Sequence, residues 1–212
     1  NASDDRELFV PIAPDSVGRP VIEGKQIEPF RVAIAGSRLE VRPSAMANLR
    51  VPRRARLAYR DVASATNRLT LIAAIVPARA VTTHTLFCLR TSLPLPRQRV
   101  LCALLNSYVA NYLIRLRVNT HVTVSLMSRL PVPVVEPAHR LFTRLTVCAE
   151  ALALGTRPAE EMEEYAEIQA IAAHLYGLSP THFEHVLSTF PLVPREIRQR
   201  ALQRFINLIT TH

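Results

Sequence analysis

The chain contains no tryptophan, only five glycines and three cysteines in 212 residues, and a single lysine, Lys25, among its 26 basic side chains. Each shortage excludes something. The glycines, Gly18, Gly24, Gly36, Gly155 and Gly177, are never clustered, so neither a phosphate-cradling loop nor a glycine-rich dinucleotide turn is present. Cys88, Cys102 and Cys148 are odd in number, far apart and without close histidine partners. They argue against a zinc site or a disulfide framework and fit buried free thiols in a reducing cytoplasm. Nowhere do 18 apolar residues run together, and no charged leader precedes an apolar stretch, so neither a membrane span nor a secretory signal is expected. Opening at Asn1 without a methionine, the sequence reads as a piece of a larger cytoplasmic protein.

What is present is a globular composition, 49% hydrophobic and 20% charged, with charge that is unevenly spread. Residues 1–50 hold 7 basic and 7 acidic groups, residues 51–157 hold 15 and 3, and residues 158–212 hold 4 and 7. The net charge of +9 therefore arises entirely in the middle. A polyanion facing that segment is the natural partner, because guanidinium groups suit phosphate oxygens and guanine edges. Few aromatics and no tryptophan argue against RNA binding by base stacking.

The stretch Arg56 to Pro77 reads as a hairpin. Leu57, Tyr59 and Val62 supply strand-forming bulk, Thr66-Asn67-Arg68 supplies turn chemistry, and the apolar run Leu69 to Val76 fits a buried strand stopped by Pro77. Just before it, Arg50, Arg53, Arg54 and Arg56 crowd into a phosphate-facing loop, and Arg68 sits at the turn. Strand alternation sends Arg60 and Asp61 to opposite faces, with Asp61 a structural acceptor for turn amides or an arginine. A third strand is predicted over Ala80 to Arg90.

Arg97 to Val118 carries apolar residues at the 3.6 period and predicts one continuous helix, with Tyr108 and Tyr112 on its core stripe and Asn106 and Asn111 nearer the other side. After the stiff Leu130-Pro131-Val132-Pro133 connector, helices are predicted over 137–154, 160–176, 180–189 and 195–209. His182 and His185, three apart with no third ligand nearby, read as surface histidines. The fold class is α+β: a small mixed sheet centred on the hairpin and packed with helices over residues 1–134, then a helical portion over 135–212.

These same segments resemble the C-terminal target recognition region of type IIG restriction-modification enzymes and related adenine-specific DNA methyltransferases of phage defence. The similarity lies in Glu23-Gly24-Lys25 with Ile27 and Phe30, in Arg60-Asp61 followed by Thr66-Asn67-Arg68 and Ile72-Ala73-Ala74-Ile75, in Leu104-Leu105-Asn106-Ser107 running on to Thr120-His121 and Leu130-Pro131, and in Leu175-Tyr176-Gly177-Leu178-Ser179 with Phe190-Pro191. Asn119 stands where a glycine is common, and Asn111 where an acid is common.

The resemblance implies a domain that positions duplex DNA, while a catalytic domain elsewhere in the same chain flips the target adenine and methylates it from S-adenosylmethionine. No asparagine-proline-proline catalytic motif occurs here, so no catalysis and no cofactor are expected of these residues themselves. The expected phosphate contacts are Arg50, Arg53, Arg54, Arg56 and Arg68, and the base-reading candidates are Arg60, Asn67, Arg115, Arg117, Asn119 and His121. The competing expectation is a protein-interaction module of a defence complex whose arginines only solubilise it.

Overall fold

Arg56 faces Val76 and Tyr59 faces Ala73 in an antiparallel pair, so the expected hairpin is present. The computed structural model describes residues 8–13, 17–48 and 52–211. The early strands are β1 (Phe9–Pro11), β2 (Arg19–Ile22), β3 (Ile27–Glu28), β4 (Arg31–Val32) and β5 (Leu39–Val41). The later ones are β6 (Arg56–Arg60), β7 (Ala73–Val76), β8 (Val81–Thr82) and β9 (Leu86–Cys88). β6 is central in a three-stranded sheet ordered β7-β6-β9; a second sheet runs β1-β5-β2-β8, and β3 pairs with β4 alone. Helices α1 (Leu95–Leu105), α2 (Tyr108–Arg115), α3 (Val124–Ser128), α4 (Arg140–Leu154), α5 (Glu163–Leu175), α6 (Pro180–Ser188) and α7 (Arg195–Thr210) complete an α+β fold. None is long and apolar enough to cross a membrane.

The expected strand over Leu69 to Val76 begins only at Ala73, and the reason is chemical. Thr70 and Leu71 donate their backbone N–H groups to the Asn111 side-chain oxygen at 2.9 and 2.8 Å, and Ala73 donates to Asn106 Oδ1 at 3.0 Å. Helix side chains replace a neighbouring strand. Both asparagines are fully buried, contrary to the outward placement that periodicity suggests. Gln98 accepts from Leu57 N–H at 2.8 Å, and Gln169 of α5 accepts from Tyr108 N–H at 2.7 Å. Buried amides with all their partners fix register, whereas an unpartnered one would be costly.

The predicted continuous helix is broken into α1 and α2 at Asn106-Ser107. Ser107 adopts extended backbone angles and its hydroxyl accepts from Ala110 N–H, so α2 has its own N-cap. The predicted third strand is likewise divided: β8 joins β2 in parallel, and β9 joins β6. Thr85 sits between the two, its hydroxyl accepting from Gly24 N–H and its carbonyl accepting from Asp61 N–H. The short α3 has no counterpart among the predicted elements.

Apolar side chains from Ile22 to Leu208 form one continuous core that crosses position 134. Helix α5 is embedded in it, with every residue from Tyr165 to Ala173 buried. Large fully buried groups such as Leu57, Leu71, Leu104 and Phe205 each contribute roughly 1.5–3 kcal/mol. Phe30 enters the core from the turn between β3 and β4 at a φ of 70°, a left-handed conformation unusual for a residue with a side chain. Its ring meets Tyr165 edge-on at 6.3 Å and its N–H donates to Ala73 O at 2.9 Å, which hold the turn in place.

Replacing Asn111 with leucine strands two buried amides and should lower the unfolding free energy by roughly 2–5 kcal/mol. Asn119→Leu, on an exposed loop, should change it by no more than about 0.5 kcal/mol. Urea midpoints measure both, and a loss below about 1 kcal/mol at position 111 would overturn the bracing role. Tyr176, whose hydroxyl donates to Pro131 O at 2.8 Å, has its pKa pushed up to about 12 by burial. Tyr59 is pushed to about 12 by burial and then by Asp61. Because the unfolded phenol ionises near pH 10, this stability is intact below about pH 10 and disappears as the pH rises through about 12. Urea unfolding repeated across that interval should show the decline, and it should be shallower in Tyr176→Phe.

Candidate nucleic-acid interface

Strand β6 delivers the chain to a basic corner at each of its ends. At the Arg56 end, Arg79 donates its N–H to Pro52 O at 2.8 Å, and its own carbonyl accepts from Arg19 Nη1 at 2.8 Å. Arg79 is held there at a φ of 61°, a left-handed conformation that costs a non-glycine residue roughly 1–2 kcal/mol. Arg53, Arg54 and Arg79 are exposed, and none forms an ion pair among the described residues. Pro52 and Arg79 are thus tied together by a backbone hydrogen bond, and the exposed arginines on either side of it, Arg53, Arg54 and Arg79, have no ion-pair partner among the described residues.

At the other end, Asp61 leaves β6 and its carbonyl accepts from Val122 N–H at 2.8 Å, while Val62 bridges to His121. The Asp61 carboxylate lies 3.0 Å from His121 Nδ1. A carboxylate only accepts, so Nδ1 carries the proton and Nε2 is presented outward. The expected structural role of Asp61 as an acceptor therefore takes a histidine as its partner, in place of an arginine or a turn amide. Arg117, Asn119 and His121 are all exposed on this one edge.

Arg60 points into a cleft of about 600 Å³ between the hairpin and the 23–28 turn. Gly24 permits this: a β-carbon there would lie 2.8 Å from Thr85 O and 3.2 Å from Arg60 Cγ. Burial lowers the Arg60 pKa, with the Glu28 charge opposing the shift, and Arg60 Nε is buried without a hydrogen-bond partner. Asn67 lines the same cleft, while its backbone carbonyl accepts from Arg115 Nη2 at 2.6 Å.

Several of the expected DNA contacts already have partners within the fold. Arg115, expected as a base reader, is engaged within the fold: its Nε donates to Thr70 Oγ1, Nη1 to Thr189 O and Nη2 to Asn67 O and Arg68 O, and its guanidinium lies 4.1 Å over the Phe190 ring. Arg68 is ion-paired with the buried Glu160, so its charge is locally neutralised. Arg56 is half-buried and donates to Ala80 O at 3.0 Å, bracing the 77–80 turn. Arg50 lies outside the described residues. Arg97, Arg99 and Arg144 also have carboxylate partners in Glu136, Glu150 and Glu167.

Two features were missed by sequence reasoning. Arg79 gives no local signal, since only the left-handed backbone and its two anchoring bonds reveal its setting. Glu28 was hidden because the strand β3 that carries it is two residues long. His182 and His185 are exposed, and no group of three potential metal ligands occurs among the described residues.

Comparison with protein-family models found no match, and comparison with curated proteins likewise found none.

The Arg115 assignment makes a prediction that separates bracing from binding. Arg115→Lys keeps the charge but loses the fork that reaches four carbonyl and hydroxyl oxygens, and should destabilise the fold by roughly 2–4 kcal/mol in chemical unfolding. Arg117→Lys should leave stability within about 0.5 kcal/mol. Equal effects at the two positions would remove the distinction.

Proposed function

We propose that these residues form the duplex-recognition part of a larger adenine-specific DNA methyltransferase or restriction-modification protein. The observation that carries this reading is the chain around Arg53, Arg54 and Arg79, where exposed arginines have no ion-pair partner among the described residues and one sits on a strained backbone fixed from both sides. Strain maintained at a surface by flanking bonds is a mark of a residue aimed at a partner. Phosphate oxygens are the partner such a group suits, and their neutralisation releases counterions.

In this reading the phosphate contacts are Arg53, Arg54 and Arg79, with Arg60, Arg117, Asn119 and His121 available for base edges. Guanidinium–guanine and amide–adenine pairs each discriminate by roughly 1–3 kcal/mol. The helical portion after residue 134 braces the recognition surface towards the catalytic domain, where base flipping and methyl transfer from S-adenosylmethionine take place. None of the residues described above is assigned a catalytic step.

One observation favours the other reading, a protein-interaction module of a defence complex. Acids of the tail neutralise Arg68 and Arg144, which removes cationic charge from the middle segment. A salt titration separates the two. Duplex affinity should fall linearly on a log–log plot, and Arg53→Ala/Arg54→Ala/Arg79→Ala should flatten the slope by roughly 2–3 units, since each lost phosphate contact removes about 0.9. No duplex binding at low salt, or an unchanged slope in the triple variant, favours the interaction module.

A further inference from the structure

The cleft beside the hairpin is chemically unlike either basic corner. Its walls carry Lys25, Arg60 and Arg68 together with Glu23 and Glu28. Lys25 is already paired with Glu23 at 2.8 Å, and Arg68 with Glu160. Arg60 and Glu28 line the same cleft with no ion-pair partner among the described residues, and the Glu28 charge acts on Arg60 without direct contact. A bare anion does not suit this arrangement, because Glu28 would repel it. A simple cation is opposed by Arg60.

The remaining lining is Asn67, Thr85 and Gly24 together with three apolar side chains. Val62, Leu69 and Ile72 are those apolar side chains, and the volume of about 600 Å³ is that of a small-molecule site, well beyond a single ion. The ligand that fits is planar, apolar on its faces, and polar along two adjoining edges: one edge of acceptors for Arg60, one edge of donors for Glu28. Among nucleobases, guanine offers two acceptors, O6 and N7, beside two donors, N1–H and the N2 amino group. Adenine and cytosine each have a single amino donor and no adjacent ring N–H.

We propose that this cleft is a guanine site, with the Arg60 guanidinium on O6 and N7, the Glu28 carboxylate on N1–H and the N2 amino group, and the base packed on Val62, Leu69 and Ile72. The ligand chemistry is the same whether the guanine belongs to a free nucleotide or to an unpaired base of a nucleic acid. In the second case the proposal rests on the duplex-recognition reading, and it assigns the cleft to a base taken out of the stack.

The test uses the full 212-residue chain. Calorimetry with GMP, AMP, CMP and inorganic phosphate should show GMP binding at least about tenfold tighter than the other nucleotides and not displaced by phosphate. Glu28→Gln, a change at an exposed side chain, and Arg60→Lys, which keeps the charge but removes the fork, should each weaken GMP about tenfold without a matching fall in the urea midpoint. Equal affinity for GMP and AMP, displacement by phosphate, or unchanged GMP binding in Glu28→Gln overturns the proposal.

A second arm compares duplexes carrying one bulged guanine, one bulged adenine, or none. A Glu28-dependent preference for the bulged guanine identifies a nucleic-acid base as the ligand, and GMP selectivity without that preference identifies a free nucleotide. Duplex binding through Arg53, Arg54 and Arg79 with no selectivity for GMP sinks the guanine site and leaves duplex recognition standing. GMP selectivity with no duplex affinity does the reverse.

Discussion

The structure depends on side-chain amides that complete hydrogen bonds a missing strand would otherwise supply. Between Leu69 and Ala73 the chain is buried yet has no sheet neighbour for Thr70 and Leu71, so Asn111 receives both N–H groups and Asn106 receives that of Ala73. Gln98 does the same for Leu57 at the start of β6. Without these acceptors a buried loop would be untenable, since backbone groups removed from water need partners. With them, a largely apolar segment can pass through the core as irregular chain and still reach the pairing register of the hairpin.

The same requirement explains what could and could not be read in the sequence. The hairpin at Arg56 to Pro77, the four helices after residue 137 and the N-cap at Ser179 follow from local patterning, and the structure contains them. Asn106 and Asn111 were misplaced because periodicity treats an amide as an outward residue, although an amide with partners for both donor and acceptor is at home in a core. The Asn106-Ser107 pair held a capping signal, but the apolar stripe running through it suggested a single helix. The division of the 80–90 strand between two sheets depends on contacts with β2 and β6 that no local pattern encodes.

Among the proposed interface residues, legibility was poorest for arginine. A guanidinium at the surface and one inside a protein look alike in a sequence, and their roles differ by what lies opposite. Arg115 stacks on Phe190 and reaches the 67–70 loop and Thr189, a use of the flat, forked group that a lysine could not reproduce. Arg68 and Arg144 meet carboxylates of the later helices. The charge imbalance of residues 51–157 therefore overstates the free cationic surface, since several of its arginines already face carboxylates.

The partners that complete the hairpin region come from far along the chain. Glu160 pairs with Arg68 across 92 residues, and the Thr189 carbonyl meets Arg115 across 74. During synthesis from the N-terminus, β6 and β7 leave the ribosome well before Gln169 and Thr189 exist. Strand pairing can begin early, but the hairpin region cannot lock until the helices after residue 160 have emerged, and such long-range closure is slow. The helices after residue 160 thus act as a clasp on a hairpin made well before them.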